Sequence, residues 1–106
     1  MIAVMFEVRL QKNQADKYFE LAAELKGELE KIEGFISVER FQSLNDDGKY
    51  LSLSFWKDEQ AIENWFCHTG HNSAQRQGRS GIFEDYRIRV ASVFRDYDLA
   101  TGRPES

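Results

Sequence analysis

The sequence predicts an α+β fold of the ferredoxin-like type, with strands and helices in the order βαββαβ. Two observations support this prediction. Some stretches alternate apolar and polar residues, as half-buried strands do, and others repeat apolar residues every three to four positions, as amphipathic helices do. Along the 106 residues the order is strand, helix, strand, strand, helix, strand. We therefore expect a four-stranded antiparallel sheet with both helices on one face, and a homodimer that covers the other face.

The first strand is predicted over residues 2–10, where the alternation is cleanest. One face carries only apolar residues: Ile2, Val4, Phe6, Val8 and Leu10. The opposite face is mixed and contains Glu7, and a glutamate on a strand usually points toward solvent.

A helix should follow, with Asn13 as its N-cap, Asp16 in its first turn and Gly34 as the glycine after its end. Its apolar residues recur at helical spacing, which predicts one buried stripe. They are Tyr18, Leu21, Ala22, Leu25, Leu29 and Ile32.

A β-hairpin is predicted over residues 35–44 and 49–57, joined by the turn sequence of residues 45–48. One face of its second strand is apolar, with Leu51, Leu53 and Phe55. The other face suits either a pocket wall or a partly wet surface, and the surface is favoured because a sheet needs only one buried side. That second face carries Tyr50, Ser52, Ser54 and Trp56.

The second helix should begin after Asp58 and present an apolar stripe of Ala61, Ile62, Trp65 and Phe66. Gly70 is expected to bend or break it, with another short helix from about His71. The last strand is predicted over residues 83–97, which is long enough to outrun its own sheet and reach a partner. A single domain over residues 1–97 and a flexible tail over residues 98–106 complete the prediction.

Composition narrows the class of protein. The net charge of −4, from 18 acidic and 14 basic residues, disfavours a nucleic-acid partner. The single Cys67 cannot form an internal disulfide, fits a reducing compartment and is expected to be a small buried residue. Neither a signal peptide nor a membrane-spanning stretch is recognisable, so we expect a cytoplasmic protein without membrane contact.

The stretch from Trp65 to Arg79 contains both histidines and the only cysteine. If it is helical, His71, Gln75 and Arg79 lie on one stripe. Such a stripe could line a pocket, although residue-type burial favours a solvated face. His68, His71 and Cys67 supply too few ligands for a convincing zinc site, so no metal is predicted.

The sequence as a whole resembles the antibiotic biosynthesis monooxygenase family over residues 2 to about 97. The resemblance is carried by residues 55–62, Trp65, His71, Ala74-Gln75, Gly78-Arg79, Tyr86 and residues 89–97. It implies a dimeric α+β barrel. It also implies relatives that oxidise polycyclic aromatic substrates with O₂ and without metal or flavin.

On this resemblance we expect a cofactor-independent monooxygenase acting on an aromatic or phenolic small molecule. His71 is the expected base, since a histidine titrates near neutral pH. Gln75 and Arg79 would bind or orient oxygen substituents, Trp65 would pack on the ring, and Glu7 would lie across the pocket. His71 and Gln75 are thus the candidate catalytic residues, and Trp65, Arg79 and Glu7 the candidate substrate-binding residues.

Two alternatives remain. Some relatives cleave haem with an asparagine on the first strand, a tryptophan on the second helix and a histidine ten residues later. Trp65 matches, but Gln75 and Glu7 stand at the other two positions, so haem is the less favoured cofactor and none is the expectation. The second alternative is a dimer that binds a small ligand without catalysis.

Overall fold

Strands and helices follow one another as βαββαβ in the part of the chain that the computed structural model describes, residues 1–68, 81–100 and Gly102. The four strands pair antiparallel in one sheet, in the order β2-β3-β1-β4. The predicted α+β ferredoxin-like fold is therefore confirmed. The elements are β1 (Ile2–Leu10), α1 (Ala15–Leu29), β2 (Phe35–Gln42), β3 (Lys49–Trp56), α2 (Glu59–Phe66) and β4 (Phe83–Ser92).

Both helices pack on the same face of the sheet, which we call the inner face. Tyr18 and Leu21 of α1 contact Val8 and Leu10 of β1 in one core cluster. Trp56 of β3 is the centre of a second cluster. Since successive strand residues point to opposite faces, the alternation predicted for β1 decides which residues the helices cover. The second cluster comprises Leu29, Trp56, Ala61, Ile62 and Trp65.

The start of α1 differs from the sequence prediction. Gln14 is the N-cap residue and makes no side-chain cap bond, whereas Asn13 precedes it with φ of 64°. The N-cap prediction for Asn13 is wrong because this asparagine forms the left-handed turn that leads into the helix, a conformation it tolerates better than most residues. The cap predicted for α2 is confirmed, since Asp58 Oδ1 accepts a hydrogen bond of 3.0 Å from the Ala61 amide.

Gly34 also has a different role from the one predicted. Helix α1 ends at Leu29 with Glu30 as its C-cap, so Gly34 is not the glycine that directly follows the helix. Its φ is 91°, and a Cβ built on it would lie 2.7 Å from the Ala61 Cβ. Glycine is needed here because any side chain would force α2 away from the start of β2.

The last strand is shorter than predicted. Strand β4 ends at Ser92, which pairs with Ile2 at the beginning of β1. One further backbone bond, from the Val93 amide to the Met1 carbonyl, measures 3.0 Å. Residues 94–97 were predicted to continue the strand but are not part of it.

Candidate functional site

A cavity of about 160 Å³ lies between the two helices and the inner face of the sheet. For comparison, an apolar cavity of about 150 Å³ in another protein holds one benzene ring. The cavity here therefore suits a molecule built on a single ring. Its lining residues among those described are Val4, Phe6, Tyr18, Leu21, Ala22, Leu25, Leu29, Val38, Arg40, Ser52, Ser54, Trp56, Ile62, Trp65, Phe66, Phe83, Tyr86 and Ile88.

Strand β3 supplies one wall of this cavity. Ser52, Ser54 and Trp56 line it, and the Trp56 indole donates a 2.9 Å hydrogen bond to the Ser54 hydroxyl. The expectation that this hydroxyl-rich face lies at the surface is wrong. Strand β3 is an interior strand of the sheet, and helix packing against its inner face leaves the serines facing the cavity.

Arg40 brings a positive charge into this mostly apolar space. It lies on β2 opposite Ser52 and lines the cavity. Its Nε atom is buried and has no hydrogen-bond partner among the residues that the structure describes. Among the described lining residues Arg40 is the one with an ionised side chain at neutral pH, and no described carboxylate pairs with it.

Tyr18 faces Arg40 from helix α1. The tyrosine is 4% exposed, and burial raises the pKa of its hydroxyl above the usual 10.0. The Arg40 guanidinium opposes this shift but does not reverse it. Tyr18 consequently keeps its proton at neutral pH and can donate a hydrogen bond into the cavity.

Trp65 lines the cavity from helix α2 and is 7% exposed. Its indole stacks on the His68 ring, with ring centroids 5.6 Å apart and an angle of 21° between planes. His68 Nε2 lies 2.8 Å from Glu28 Oε2 on α1, and this hydrogen bond is the main cause that lowers the pKa of Glu28. The contact ties the end of α2 to α1 beside the tryptophan.

Glu7 lies on the opposite, outer face of the sheet and does not line the cavity. Its neighbours on β1, Phe6 and Val8, point inward, so alternation turns Glu7 away from Trp65. One Glu7 oxygen accepts a 2.6 Å hydrogen bond from Arg89, and the other lies 3.8 Å from Lys49. The hydrogen bond from Arg89 is the largest cause that lowers the pKa of Glu7. The sequence analysis placed Glu7 across the pocket, whereas the structure separates it from Trp65 by the sheet itself.

Three of the predicted site residues, His71, Gln75 and Arg79, lie outside the described residues, so their roles stay predictions. Cys67, at the end of α2, is exposed rather than buried as expected. Within residues 1–68, 81–100 and 102, no cluster of three histidine, cysteine or acidic side chains could hold a metal ion.

Comparison with known proteins places this fold. Residues 1–77 match the model of the family described as antibiotic biosynthesis monooxygenase. The chain belongs to this family. It is 46% identical over 93 residues to the jasmonate monooxygenase ABM of Pyricularia oryzae, a match that covers 88% of this chain and 43% of that protein. It is 40% identical over 62 residues to the uncharacterized protein YqjZ of Bacillus subtilis, covering 58% of this chain and 53% of YqjZ. The chain thus spans about half the length of the curated relatives it matches.

Solved structures agree on the fold of the antibiotic biosynthesis monooxygenase family. A candidate monooxygenase of this family from Deinococcus radiodurans superposes with a TM-score of 0.84 at 13% identity, covering 93% of this chain and 98% of that one. Rv0793 from Mycobacterium tuberculosis gives a TM-score of 0.82 at 10% identity, covering 92% and 98%. At such identities the likeness concerns the fold alone. No helix in the described part of this family member is long and apolar enough to cross a membrane.

Two residues that line the cavity, Arg40 and Tyr18, were not among the predicted site residues. A signal was present for Arg40, because it alternates in phase with Val38 and therefore falls on the inner face of β2. A cation at that position in a strand is unusual unless it has a partner. Tyr18 was assigned to the apolar stripe of the first helix, and only the cavity shows that its hydroxyl meets Arg40.

Proposed function

We propose that this protein is a monooxygenase that uses O₂ to oxidise a small aromatic or phenolic molecule without a metal or flavin. The observation that carries the proposal is the single-ring cavity of about 160 Å³ between helices and sheet, lined by Trp65 and a few polar groups. Membership of the antibiotic biosynthesis monooxygenase family supports the reaction class. The Pyricularia oryzae relative, named a jasmonate monooxygenase, supports it further.

The proposed reaction balances without a cofactor. A phenol or related ring that carries an activated CH₂ group loses a proton to a base and transfers electrons to O₂. One oxygen atom becomes a carbonyl on the carbon of the CH₂ group, and the other leaves as water with the two hydrogens of that group. The substrate is the reductant, so the protein has to supply a base, hydrogen bonds to the anion and a water-poor site.

The residues for these tasks come from the predicted set. Trp65 forms an apolar wall on which the ring packs. His71 is proposed as the base, with Gln75 and Arg79 orienting oxygen atoms. Chain length supports their access to the cavity, because His71 and Arg79 are only a few residues from Phe66 and Phe83, and both phenylalanines line it.

Oxygen consumption tests the activity. Protein freed of metals by chelation should consume O₂ with at least one member of a panel of phenols, from single-ring compounds to anthrone-like molecules, each of which carries an activated CH₂ group. In ¹⁸O₂ the product should gain one labelled atom. His71→Ala should lose the rate while intrinsic tryptophan fluorescence shows that the ring still binds. Absence of oxidation across the whole panel would contradict the proposal.

A haem titration separates the enzymatic alternatives. If the protein is a cofactor-independent monooxygenase of small aromatic molecules, one equivalent of haem should produce no Soret shift. A shift that His71→Ala abolishes would instead favour haem binding. Ligand binding without any oxidation would favour the non-enzymatic dimer.

We also propose a homodimer that joins the outer faces of two sheets. The outer face carries Met5, Leu51, Leu53 and Phe55, all only half-buried in the single chain. Rows of this kind are usually covered by a second copy. Light scattering should give twice the chain mass, and a mass near 12.4 kDa at micromolar concentration would contradict the dimer.

A further inference from the structure

We propose that Arg40 and Tyr18 form an oxyanion-binding subsite, so that the molecule in the cavity carries a carboxylate or phenolate on its single-ring body. This inference deepens the proposed monooxygenase function and rests on the same cavity. It adds a charge requirement that neither the family nor the size of the cavity specifies. It can be tested by binding alone, independently of any oxidation.

The first step is the unmet hydrogen bond of Arg40. Its Nε atom is buried, and no atom of residues 1–68, 81–100 or 102 pairs with it. A guanidinium N–H can only donate, so what it lacks is an acceptor. Buried polar atoms are almost always satisfied in folded proteins, and each unsatisfied one needs an explanation. An acceptor on a bound molecule is such an explanation, because Arg40 lines the cavity.

The second step is the charge. Arginine stays protonated in proteins, so Arg40 puts a full positive charge against the cavity. The described lining contains no aspartate or glutamate to balance it. Glu39, its neighbour on β2, is exposed and points to the outer face by strand alternation. An anion in this mostly apolar cavity would therefore interact with Arg40 more strongly than in water.

The third step is the second donor. The pKa of Tyr18 is raised by burial, so the hydroxyl is protonated and can donate toward the same oxygen group. A cationic fork and a neutral hydroxyl together match a carboxylate or a phenolate, which offer several lone pairs. The rest of the lining is mainly apolar and fits the ring.

The main experiment compares two ligands of the same shape. Phenylacetate and phenylacetamide differ in charge but hardly in size. Both tryptophans of the chain, Trp56 and Trp65, line the cavity, so intrinsic fluorescence reports binding directly. The wild-type protein should bind phenylacetate at least about tenfold more tightly than phenylacetamide, as expected for a charge-assisted hydrogen bond.

Variants then assign the preference to particular groups. Arg40→Met should weaken phenylacetate binding by about 10- to 100-fold and leave phenylacetamide binding nearly unchanged. Tyr18→Phe should weaken phenylacetate binding several-fold. Lys12→Gln, which removes one positive charge from an exposed position that does not line the cavity, is the matched control and should change neither affinity.

A second arm distinguishes phenolate from carboxylate. 4-Nitrophenol ionises near neutral pH and its phenolate absorbs visible light. If the subsite stabilises a phenolate, the pKa of bound 4-nitrophenol falls below its value in water, and Arg40→Met removes the fall. A lowered pKa without a preference for phenylacetate identifies the phenolate, and the reverse result identifies the carboxylate. Either result supports the oxyanion subsite.

The binding measurements can overturn the subsite proposal separately from the monooxygenase proposal. If phenylacetate and phenylacetamide bind alike and the pKa of 4-nitrophenol does not move, the subsite proposal is overturned, even when the protein oxidises phenols. If both ligand effects appear and depend on Arg40 but no oxidation occurs, the subsite stands and the monooxygenase proposal fails. Circular dichroism checks the folding of each variant. Should Arg40→Met not fold, Arg40→Lys, which keeps the charge but lacks Nε, and Tyr18→Phe decide the outcome.

Discussion

Charged side chains have different surroundings on the two faces of the sheet. On the outer face Glu7 is held between Arg89, at 2.6 Å, and Lys49, at 3.8 Å, and all three side chains are at least one-third exposed. On the inner face Arg40 carries a charge beside a cavity, and its Nε has no partner in the described part of the chain. Exposed charges can share partners and water, whereas a buried donor without an acceptor is costly. The difference supports the two proposals made above, that the inner face binds a small molecule and that the outer face pairs with a second copy.

The largest expected effect comes from removing the ring at the centre of the inner face. Trp56 is 2% exposed and joins both helices to the sheet. Replacement by alanine should cost about 3–5 kcal/mol of unfolding free energy, because it leaves a large cavity and an unpaired Ser54 hydroxyl. Urea unfolding measures this loss.

Phe55 provides the matched control, because it precedes Trp56 and points to the outer face. Phe55→Ala should cost much less and should instead weaken the proposed dimer, as seen by light scattering. Equal losses from the two alanine variants would remove the distinction between the faces.

The second prediction concerns the position of α2 over the inner face. Gly34→Ala places a Cβ 2.7 Å from the Ala61 Cβ at a φ of 91°. The strained backbone alone should cost about 1–3 kcal/mol, and the collision should push α2 outward. The Tm of the protein and its affinity for phenylacetate should both decrease.

Gly27→Ala is the control for this change. Gly27 is an exposed position of α1 where an added Cβ meets nothing within 4 Å. The substitution should raise stability by about 0.5–1 kcal/mol because alanine favours a helix over glycine. A loss of stability at Gly27 would show that α1, rather than contact with α2, limits what glycines tolerate here.

The smallest effect is expected on the outer face, from Glu7→Gln. The pKa of Glu7 is lowered in the folded protein from its usual 4.5, chiefly by the hydrogen bond from Arg89. A carboxyl with a lowered folded pKa stabilises the protein above pH 4.5, and this contribution is lost as the pH falls through the folded value. The difference in Tm between wild type and Glu7→Gln should therefore be small at pH 7 and should vanish in acid. A difference that grows on acidification would contradict the ion-pair interpretation.

Two sequence arguments about the position of Glu7 disagreed with each other. The alternation in β1 correctly separated Phe6 and Val8 from Glu7. The resemblance to a family then assigned Glu7 to the pocket, although the same alternation turned it to the other face. Period-two geometry is strict within a regular strand, so it is the stronger of the two arguments.

Arg40 shows the opposite failure. Its phase with Val38 was a sequence signal for the inner face, but a charged strand residue is ordinarily assigned to the surface. Nothing in the sequence tells whether a neighbouring helix leaves open space over such a residue. The void depends on how far Tyr18, Leu21 and Leu25 of α1 stand from β2 and β3.

The sequence by itself determined the order of the elements, which residues share a face of each strand, and the cap of α2, because these follow from local periodicity and local hydrogen bonds. Tertiary structure alone decided that the serines of β3 line a cavity, that Gly34 leaves room for α2, and that Arg40 and Tyr18 meet in the lining of that cavity. Those features depend on distances between elements far apart in the chain. Such distances are set by the packing of whole side chains and not by any short-range pattern.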